Sequence, residues 1–414
     1  MQNRQWPSYR TVSRFGGILI VIMKRFLSVH ILVPTLRLAA EALILAAVAG
    51  AARGHAAEGD PPAPEVAPGV VLEERRYANG AIRTRTETRA GPSGVVARRG
   101  REWTYDPAGR LVSEVTWDGD RREGPSVEYD PRGNVVVRES FRRGKRDGVF
   151  LRYHADGTPQ REVAFREGVR DGSARQWHAS GELAVDETYA KGKLEGTRRS
   201  FRSDGSIESE DRYRGGRKNG VCTRWYPNGG KQIEAGYRDD RRVGPFVEYW
   251  ENGNERMRCS FVNGTEEGVF RQWYADGAPR TVGGYLAGRP EGRWVSWGSG
   301  EGHPIAAEQT YRDGLLDGLA IEYHPDGSEK MRANWSAGLQ NGRWEERYEG
   351  GGLRAAGEYG RGRPVGVWEF FHEDGSPWSR TEHAGGVRHG RHVEWDEAGN
   401  VVVDQTFVRG VPTP

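Results

Sequence analysis

Reactive side chains are few in this chain of 414 residues, and we find no set of them spaced for catalysis. The two cysteines, Cys222 and Cys259, each fall where other copies of a repeated pattern carry packing side chains. About three strand steps of roughly 4.8 Å would separate them, which is beyond the reach of a disulfide. We therefore expect two structural thiols rather than a redox pair.

Histidine and serine patterns also predict no enzyme. His383, His389 and His392 are close in sequence, but no carboxylate accompanies them at a familiar metal-ligand spacing. Ser299 lies between two glycines and has no recognisable base partner. His154 and its counterparts at the mouths of other turns have the character of solvated turn residues. We expect a non-enzymatic protein with no cofactor and no metal.

What remains is a set of aromatic residues placed by a repeat. A register glycine, counted here as position 0, recurs every 24 residues, with one spacing of 26 before Gly318. Thirteen units follow from Gly100 to the C-terminus. The regular central copies carry this glycine at Gly148, Gly172, Gly196, Gly220, Gly244, Gly268 and Gly292.

An aromatic side chain stands at position +5 in all but one unit. The members that define the repeat are Tyr153, Trp177, Trp225, Tyr249, Trp273, Trp297 and Tyr323. A turn glycine follows at +9, usually after Asp or Asn, and a second aromatic residue at +17. This regularity favours core packing as the first explanation of the aromatic residues.

The elements that position them are short strands. Each unit has a Gly-x-x-x-Gly turn, a strand, an Asp-Gly or Asn-Gly turn and a second strand. Helical periodicity is absent, and a glycine every few residues would cost a helix about 1 kcal/mol each. The sequence predicts an all-β fold: an elongated single-layer antiparallel β-hairpin repeat of about 13 units of 24 residues.

One set of aromatic residues is a candidate binding surface. Positions +2 and +5 have opposite strand parity, so in an unbulged strand they face opposite sides of the sheet. An exposed set could hold a partner chain or a sugar ring. The candidates at +2 are Phe246, Phe270, Trp294, Trp344 and Trp368, and His303 joins them because it lies in the lengthened hairpin at residues 298–304.

The first part of the chain has a different composition. Residues 1–57 resemble a leader, with a start at Met23, a basic stretch and 11 apolar residues at 42–52. Residues 58–69 are a Pro/Ala-rich linker with nothing to bury, residues 70–99 a degenerate N-terminal cap repeat, and residues 100–414 the repeats. Without residues 1–56 the net charge is −3, which argues against a general nucleic-acid binder.

The pattern aromatic-x-x-Gly-x-x-x-Gly, strand, aromatic-x-x-(Asp/Asn)-Gly resembles the MORN repeat. It is closest to the bacterial variant in YwqK-type antitoxin-component proteins. Residues 261–277 (FVNGTEEGVFRQWYADG) and 213–229 (YRGGRKNGVCTRWYPNG) carry the resemblance, which covers residues 100–410. The resemblance implies a β-hairpin solenoid that acts as a protein-interaction scaffold, and it implies no activity.

The sequence therefore favours an exported repeat scaffold, periplasmic or secreted, that binds another protein along an extended face. One alternative is binding of a cell-envelope carbohydrate or peptidoglycan through exposed aromatic side chains. Another is an antitoxin-like protein that neutralises a partner. We expect no nucleic-acid partner and no membrane insertion of the mature chain.

Overall fold

A single antiparallel β-sheet makes up the computed structural model, which describes residues 60–90 and 96–414. The expected leader, residues 1–57, lies outside the described residues. Within the described ranges there are 33 strands and no helix, hence none long and apolar enough to cross a membrane. The predicted fold class is confirmed: the sheet is open, one layer thick and built from successive hairpins.

The strands follow one another across the sheet in chain order. Their bounds are β1 (Val71–Arg76), β2 (Ile82–Ala90), β3 (Val96–Tyr105), β4 (Leu111–Asp118), β5 (Arg121–Tyr129), β6 (Val135–Arg142), β7 (Lys145–Arg146), β8 (Gly148–Tyr153), β9 (Pro159–Arg166), β10 (Val169–Trp177), β11 (Leu183–Ala190), β12 (Lys193–Leu194), β13 (Gly196–Phe201), β14 (Ile207–Arg214), β15 (Arg217–Lys218), β16 (Gly220–Trp225), β17 (Lys231–Arg238), β18 (Arg241–Tyr249), β19 (Glu255–Val262), β20 (Thr265–Glu266), β21 (Gly268–Trp273), β22 (Pro279–Leu286), β23 (Arg289–Trp297), β24 (Ile305–Arg312), β25 (Leu315–Tyr323), β26 (Glu329–Ser336), β27 (Leu339–Arg347), β28 (Leu353–Gly360), β29 (Arg363–Phe371), β30 (Pro377–Ala384), β31 (Val387–Trp395), β32 (Val401–Val408) and β33 (Val411–Pro412).

Two kinds of turn join the strands. The two-residue turn is represented by Asn263 and Gly264, with φ of 51° and 91°, between the paired residues Val262 and Thr265. Positive φ at both central residues gives a turn whose twist matches that of the strands it joins. The longer turn closes with two backbone hydrogen bonds. In one unit the Tyr226 amide donates to the Gly230 carbonyl (2.8 Å).

The register glycine lies in a bulge and not in the turn, where we expected it. Ala235 pairs with Phe246 and Tyr237 pairs with Arg242, so one residue of β17 faces three residues of β18, with Gly244 in the middle. Gly244 has a φ of 70°, and every register glycine lies in the same left-handed region. An L side chain is strained at such φ, which explains the periodic glycine.

The strand pleat gives the sheet two faces. Face A carries positions +2, +15 and +17 of each unit, and face B carries +1, +3, +5 and +14. On face A, Phe246 pairs with Ala235 on one side and with Cys259 on the other. On face B, Tyr105 at +5 packs with Trp103 at +3. Positions +2 and +5 therefore do face opposite sides.

Face A holds the best-packed part of the sheet. Its main cluster consists of Ala235, Phe246, Cys259, Phe261 and Phe270, all less than a tenth exposed. Large and small side chains alternate from strand to strand here. Within the part of the chain that the structure describes, no second sheet packs on this layer. Most of the +15 side chains are nevertheless buried, because side chains from neighbouring units pack over them.

A further ladder ties each unit to the next along the longer turns. The side chain at +6 donates a hydrogen bond to the backbone carbonyl at +5 of the following unit. The bonds are Tyr226 to Tyr249 (2.8 Å), Trp250 to Trp273 (3.1 Å), Tyr274 to Trp297 (2.7 Å), Tyr348 to Phe371 (2.9 Å), His178 to Phe201 (2.9 Å) and His324 to Arg347 (3.0 Å). Our interpretation of the turn histidines as solvated is wrong for His178 and His324, since each is held in this ladder.

Candidate functional site

The row of +5 side chains on face B is the most continuous surface feature. Tyr153, Trp177, Trp225, Tyr249, Trp273, Trp297 and Tyr323 are all half-buried. Each is the last residue of its strand and comes just before the longer turn, so the repeat places them in one line across the sheet. Successive rings are two strands apart, about 10 Å.

Aliphatic side chains line the same face at position +1. In five units this residue is a valine or leucine that stays 37–52% exposed: Val149, Val221, Val269, Leu319 and Val367. Their strand partners are mostly small or polar, as in the pairs Val221 with Gly236 and Val269 with Gly284. Face B thus offers apolar contacts beside the aromatic row, which is a surface composition typical of protein-binding sites.

Charged residues at +3 and +14 border the row. Asp186 lies 3.3 Å from Arg175, and Glu210 lies 2.9 Å from Arg199. Both pairs are solvent-exposed and contribute little to stability. Near the N-terminal end, burial raises the pKa of Glu114. The border therefore sets a local pattern of charge along face B rather than a single charged patch.

The five +2 candidates lie on the other face in two groups, Phe246 with Phe270 and Trp294, and Trp344 with Trp368, each packed against +17 residues. Phe246, Phe270 and Trp368 are 4%, 9% and 6% exposed. Trp294 and Trp344 are half-buried. Because these rings pack into face A, they do not form the open binding set that the sequence suggested.

Two of these tryptophans lie directly over a glycine at +15. A Cβ placed on Gly283 would come within 2.1 Å of the Trp294 ring, and one on Gly357 within 2.3 Å of the Trp368 ring. The Trp294 ring also meets Tyr285 edge-to-face, with centroids 5.2 Å apart. These contacts assign both tryptophans to packing.

His303 is fixed by its neighbours in the lengthened hairpin. Its Nε2 lies 2.7 Å from Asp276 Oδ2, its Nδ1 lies 3.0 Å from the Gly298 carbonyl oxygen, and its ring stacks on Tyr274 at 4.8 Å. The hydrogen bond to Asp276 raises the pKa of His303. The inserted residues are thus hydrogen-bonded and stacked onto the preceding turn, a contact that the sequence did not predict.

The remaining reactive groups show no catalytic arrangement in the described part of the chain. Cys222 and Cys259 are buried free thiols, and burial raises the pKa of each to about 11. Two intervening strands separate them, in agreement with the expected spacing. No group of three or more His, Cys, Asp or Glu is placed to hold a metal ion among residues 60–90 and 96–414.

One exposed tryptophan escaped the sequence reasoning because it lies outside the repeated aromatic positions. Trp378 is 51% exposed. Its ring contacts Phe370 edge-to-face at 5.9 Å and lies 6.3 Å from the ring of His372. The buried Nε2 of His372 has no hydrogen-bond partner in the structure described here. A single residue off the pattern gave no signal in a search for periodicity.

The Pro/Ala-rich segment is attached to face B instead of hanging free. Arg85 Nη1 donates to the carbonyl oxygens of Pro61 (2.6 Å) and Pro62 (2.7 Å), and Arg101 Nη2 donates to that of Glu65 (3.0 Å). Residues 60–65 of this segment are therefore hydrogen-bonded to the sheet through backbone carbonyls, a contact that the sequence did not predict. These bonds give face B one occupied end.

Comparisons with known proteins add no family. No known family matches the sequence, and no curated protein does. Among solved structures, similarity is found to TcdB2-TccC3 (12% identity, 80% of this chain, 21% of that chain, TM-score 0.15). TcdB2-TccC3-Cdc42 has 12% identity over 80% of this chain and 22% of that chain, with a TM-score of 0.15. The Photorhabdus luminescens Tc holotoxin pore has 12% identity over 78% of this chain and 19% of that chain, with a TM-score of 0.14. The chain spans about a fifth of the length of these solved chains, and scores this low carry no argument.

Proposed function

We propose that this protein is a non-enzymatic, exported scaffold of MORN-like repeats that binds another protein along face B. The observation that carries the proposal is the row of half-buried +5 rings from Tyr129 to Tyr323, flanked by exposed +1 aliphatic side chains. A long row of identical positions suits an extended partner better than a compact ligand. Hydrophobic anchors rimmed by charge are the usual composition of such a surface.

The test compares two triple variants of equal apolar loss. Val221→Thr, Val269→Thr and Leu319→Thr make face B polar at +1, whereas Val262→Thr, Val387→Thr and Leu339→Thr change side chains of similar exposure at the two-residue turns, away from the +5 row. Threonine suits strands, and exposed substitutions usually shift stability by less than about 0.5 kcal/mol each.

The full chain is used to capture partners from the native cell envelope after cross-linking. We expect the face B variant to lose a partner that the wild type and the turn variant both retain. Equal capture by all three proteins would overturn the assignment to face B. Fractionation that finds the full-length chain in the cytosol would contradict export and favour the antitoxin-like alternative.

A second function has one specific observation in its favour. Trp378 presents an exposed indole beside Phe370 and His372, and such a ring can stack on a sugar. Binding of peptidoglycan by the full chain should then fall with Trp378→Ala and not with the turn variant. Unchanged sedimentation of Trp378→Ala with purified cell wall would exclude this site.

A further inference from the structure

The occupied end of face B shows what kind of ligand the sheet can hold. Arg85 is only 4% exposed, and its guanidinium lies 5.8 Å from the centre of the Tyr105 ring. From this position it donates to two consecutive carbonyls, those of Pro61 and Pro62. Tyr105 is 6% exposed, less than the half-buried members of its row.

Backbone carbonyls account for most of this recognition. A proline cannot donate through its nitrogen, but it leaves its carbonyl free and favours an extended backbone. Extended proline-rich segments characteristically dock on aromatic surfaces in this conformation. The arrangement at Arg85 therefore selects an extended, proline-containing segment, with little demand on the side chains between the prolines.

The same residue types recur at the same repeat positions farther along the sheet. Arg138 is opposite Leu151 on the next strand, as Arg85 is opposite Trp103. Both arginines are thus at the +14 place and precede a unit with tyrosine at +5, which is Tyr153 in the second case. The sheet presents the second set in the same orientation, because the repeat fixes it.

Arg138 differs from the other +14 arginines, Arg85 included, in having no acidic partner among the described residues: at the occupied end Arg85 Nε donates to Glu74 (2.9 Å) and only Nη1 donates to the prolines. Arg258 and Arg332 bond to Glu255 and Glu329, and Arg380 lies 3.7 Å from a carboxylate. Within residues 60–90 and 96–414, Arg138 makes no ion pair, and its buried Nε has no hydrogen-bond partner. A buried donor of this kind is costly unless something accepts its hydrogen bond.

We propose that the stretch of face B formed by Tyr129, Arg138, Val149, Leu151 and Tyr153 binds an extended proline-containing segment of a partner protein. Arg138 donates to the segment's carbonyls as Arg85 does to those of Pro61 and Pro62. The inference rests on the proposed protein-binding function of face B and names the chemistry of the partner.

One difference between the two ends gives this stretch its own specificity. Position +1 is Arg101 at the occupied end, where it bonds to the Glu65 carbonyl, and Val149 here. Val149 is 43% exposed and offers an apolar contact in place of a donor. The partner segment should therefore carry an apolar residue or a further proline at the place that corresponds to Glu65.

The test uses a fluorescein-labelled peptide with the sequence of residues 58–69 and valine in place of Glu65 (EGDPPAPVVAPG), together with the full chain, read by fluorescence anisotropy. We expect saturable binding that Arg138→Gln weakens about tenfold, since a hydrogen bond from a charged group is lost. Arg258→Gln, the matched change at an ion-paired +14 arginine, should leave the affinity unchanged. A second peptide, with alanine in place of every proline, should bind the wild-type protein about as weakly as the proline-containing peptide binds the Arg138→Gln variant.

Several results would overturn the proposal. The first is equal affinity of the wild-type protein and the Arg138→Gln variant for the peptide, and the second is equal affinity of the wild-type protein for the two peptides. The third is no binding at all. The fourth is loss of binding only in Arg85→Gln, which would mean that the peptide displaces residues 60–65. Absence of peptide binding together with partner loss in the face B threonine variant would reject this inference and leave the proposed function standing.

A second measurement covers the case in which Arg138→Gln does not fold. A Val149→Cys protein should be alkylated by a bromoacetyl derivative of the same peptide faster than Val269→Cys, whose side chain is 52% exposed on the same face. The native thiols are buried and react slowly. Equal labelling rates at the two cysteines would contradict binding at this place.

Discussion

Replacing Gly283 by alanine tests the packing of face A at one atom. The new Cβ would lie 2.1, 2.3 and 2.6 Å from three atoms of the Trp294 ring, whereas carbon atoms in contact are normally about 3.5 Å apart. The ring would have to retreat by roughly 1.4 Å, but Phe270 (5.5 Å) and Tyr285 (5.2 Å) hold it in place. Overpacking of this kind costs about 1–3 kcal/mol.

The matched control is the adjacent residue on the other face. A Cβ on Gly284 would meet its nearest atom, the Glu291 carbonyl oxygen, at 3.5 Å, an ordinary contact. Neither glycine has a left-handed φ, so backbone strain does not separate the two changes. Gly284→Ala should be neutral or slightly stabilising, because alanine reduces the entropy of the unfolded chain.

The assay is hydrogen exchange of the backbone amides in β22 and β23, with β5 as an internal reference. A cost of about 2 kcal/mol would raise the local opening equilibrium roughly thirtyfold. Strand β5 is far along the chain and should not respond, because each unit contacts only its neighbours. The double variant Gly283→Ala, Trp294→Phe should recover most of the protection.

The recovery follows from a pair already in the sheet. Ala235 and Phe246 occupy the same two positions, and both are less than a twentieth exposed. The double variant reproduces this pair at Gly283 and Trp294. Equal protection of Gly283→Ala and Gly284→Ala, or no recovery with phenylalanine, would refute the packing argument.

Three further predictions concern other parts of the chain. Gly172→Ala places a side chain at φ 116° and should destabilise its unit by at least about 1 kcal/mol, seen as faster exchange in β9 and β10. The raised pKa of His303 means that its bond to Asp276 is strongest below the ordinary histidine pKa and weakens as pH rises through the raised value. Protection of residues 298–304, corrected for intrinsic exchange rates, should therefore be greater at pH 6 than at pH 8.5, and Asp276→Asn should abolish the difference. Cys222 and Cys259 should resist iodoacetamide at pH 8 until the chain is unfolded, and rapid alkylation of the native protein would contradict their burial.

The period and the turns could be predicted from the sequence because they depend on local backbone chemistry. Asn263-Gly264 adopts positive φ in the turn at small cost, and the aromatic residue at +5 marks the end of a strand. The bulge at Gly244 could not be predicted, because a glycine required by a bulge and one required by a turn look the same. Only the strand pairing shows which it is.

The candidate site was harder to predict because faces and exposure depend on what neighbouring strands present. Strand parity correctly separated +2 from +5, but it could not say which set was packed. Phe246 is buried because its partners on the two adjacent strands, Ala235 and Cys259, have small side chains that leave room for its ring. The attachment of Pro61 to Arg85 had no signal at all, since a proline-rich stretch is typical of a free linker.

The two faces divide stability and recognition between them. On face A, position +15 is filled in several units by an acid paired with a cation, as in Glu139 with Arg146 (2.6 Å), and in others by a small residue under a large ring, as with Gly283 under Trp294. Either solution couples a unit only to its neighbour and leaves face B unconstrained. Position +1 of face B accordingly changes from Arg101 to Pro125 to Val149 in three successive units, and each of these residues still pairs with position +16. A sheet stabilised through one face can therefore vary the other unit by unit, which is how a uniform repeat can carry a specific binding sequence.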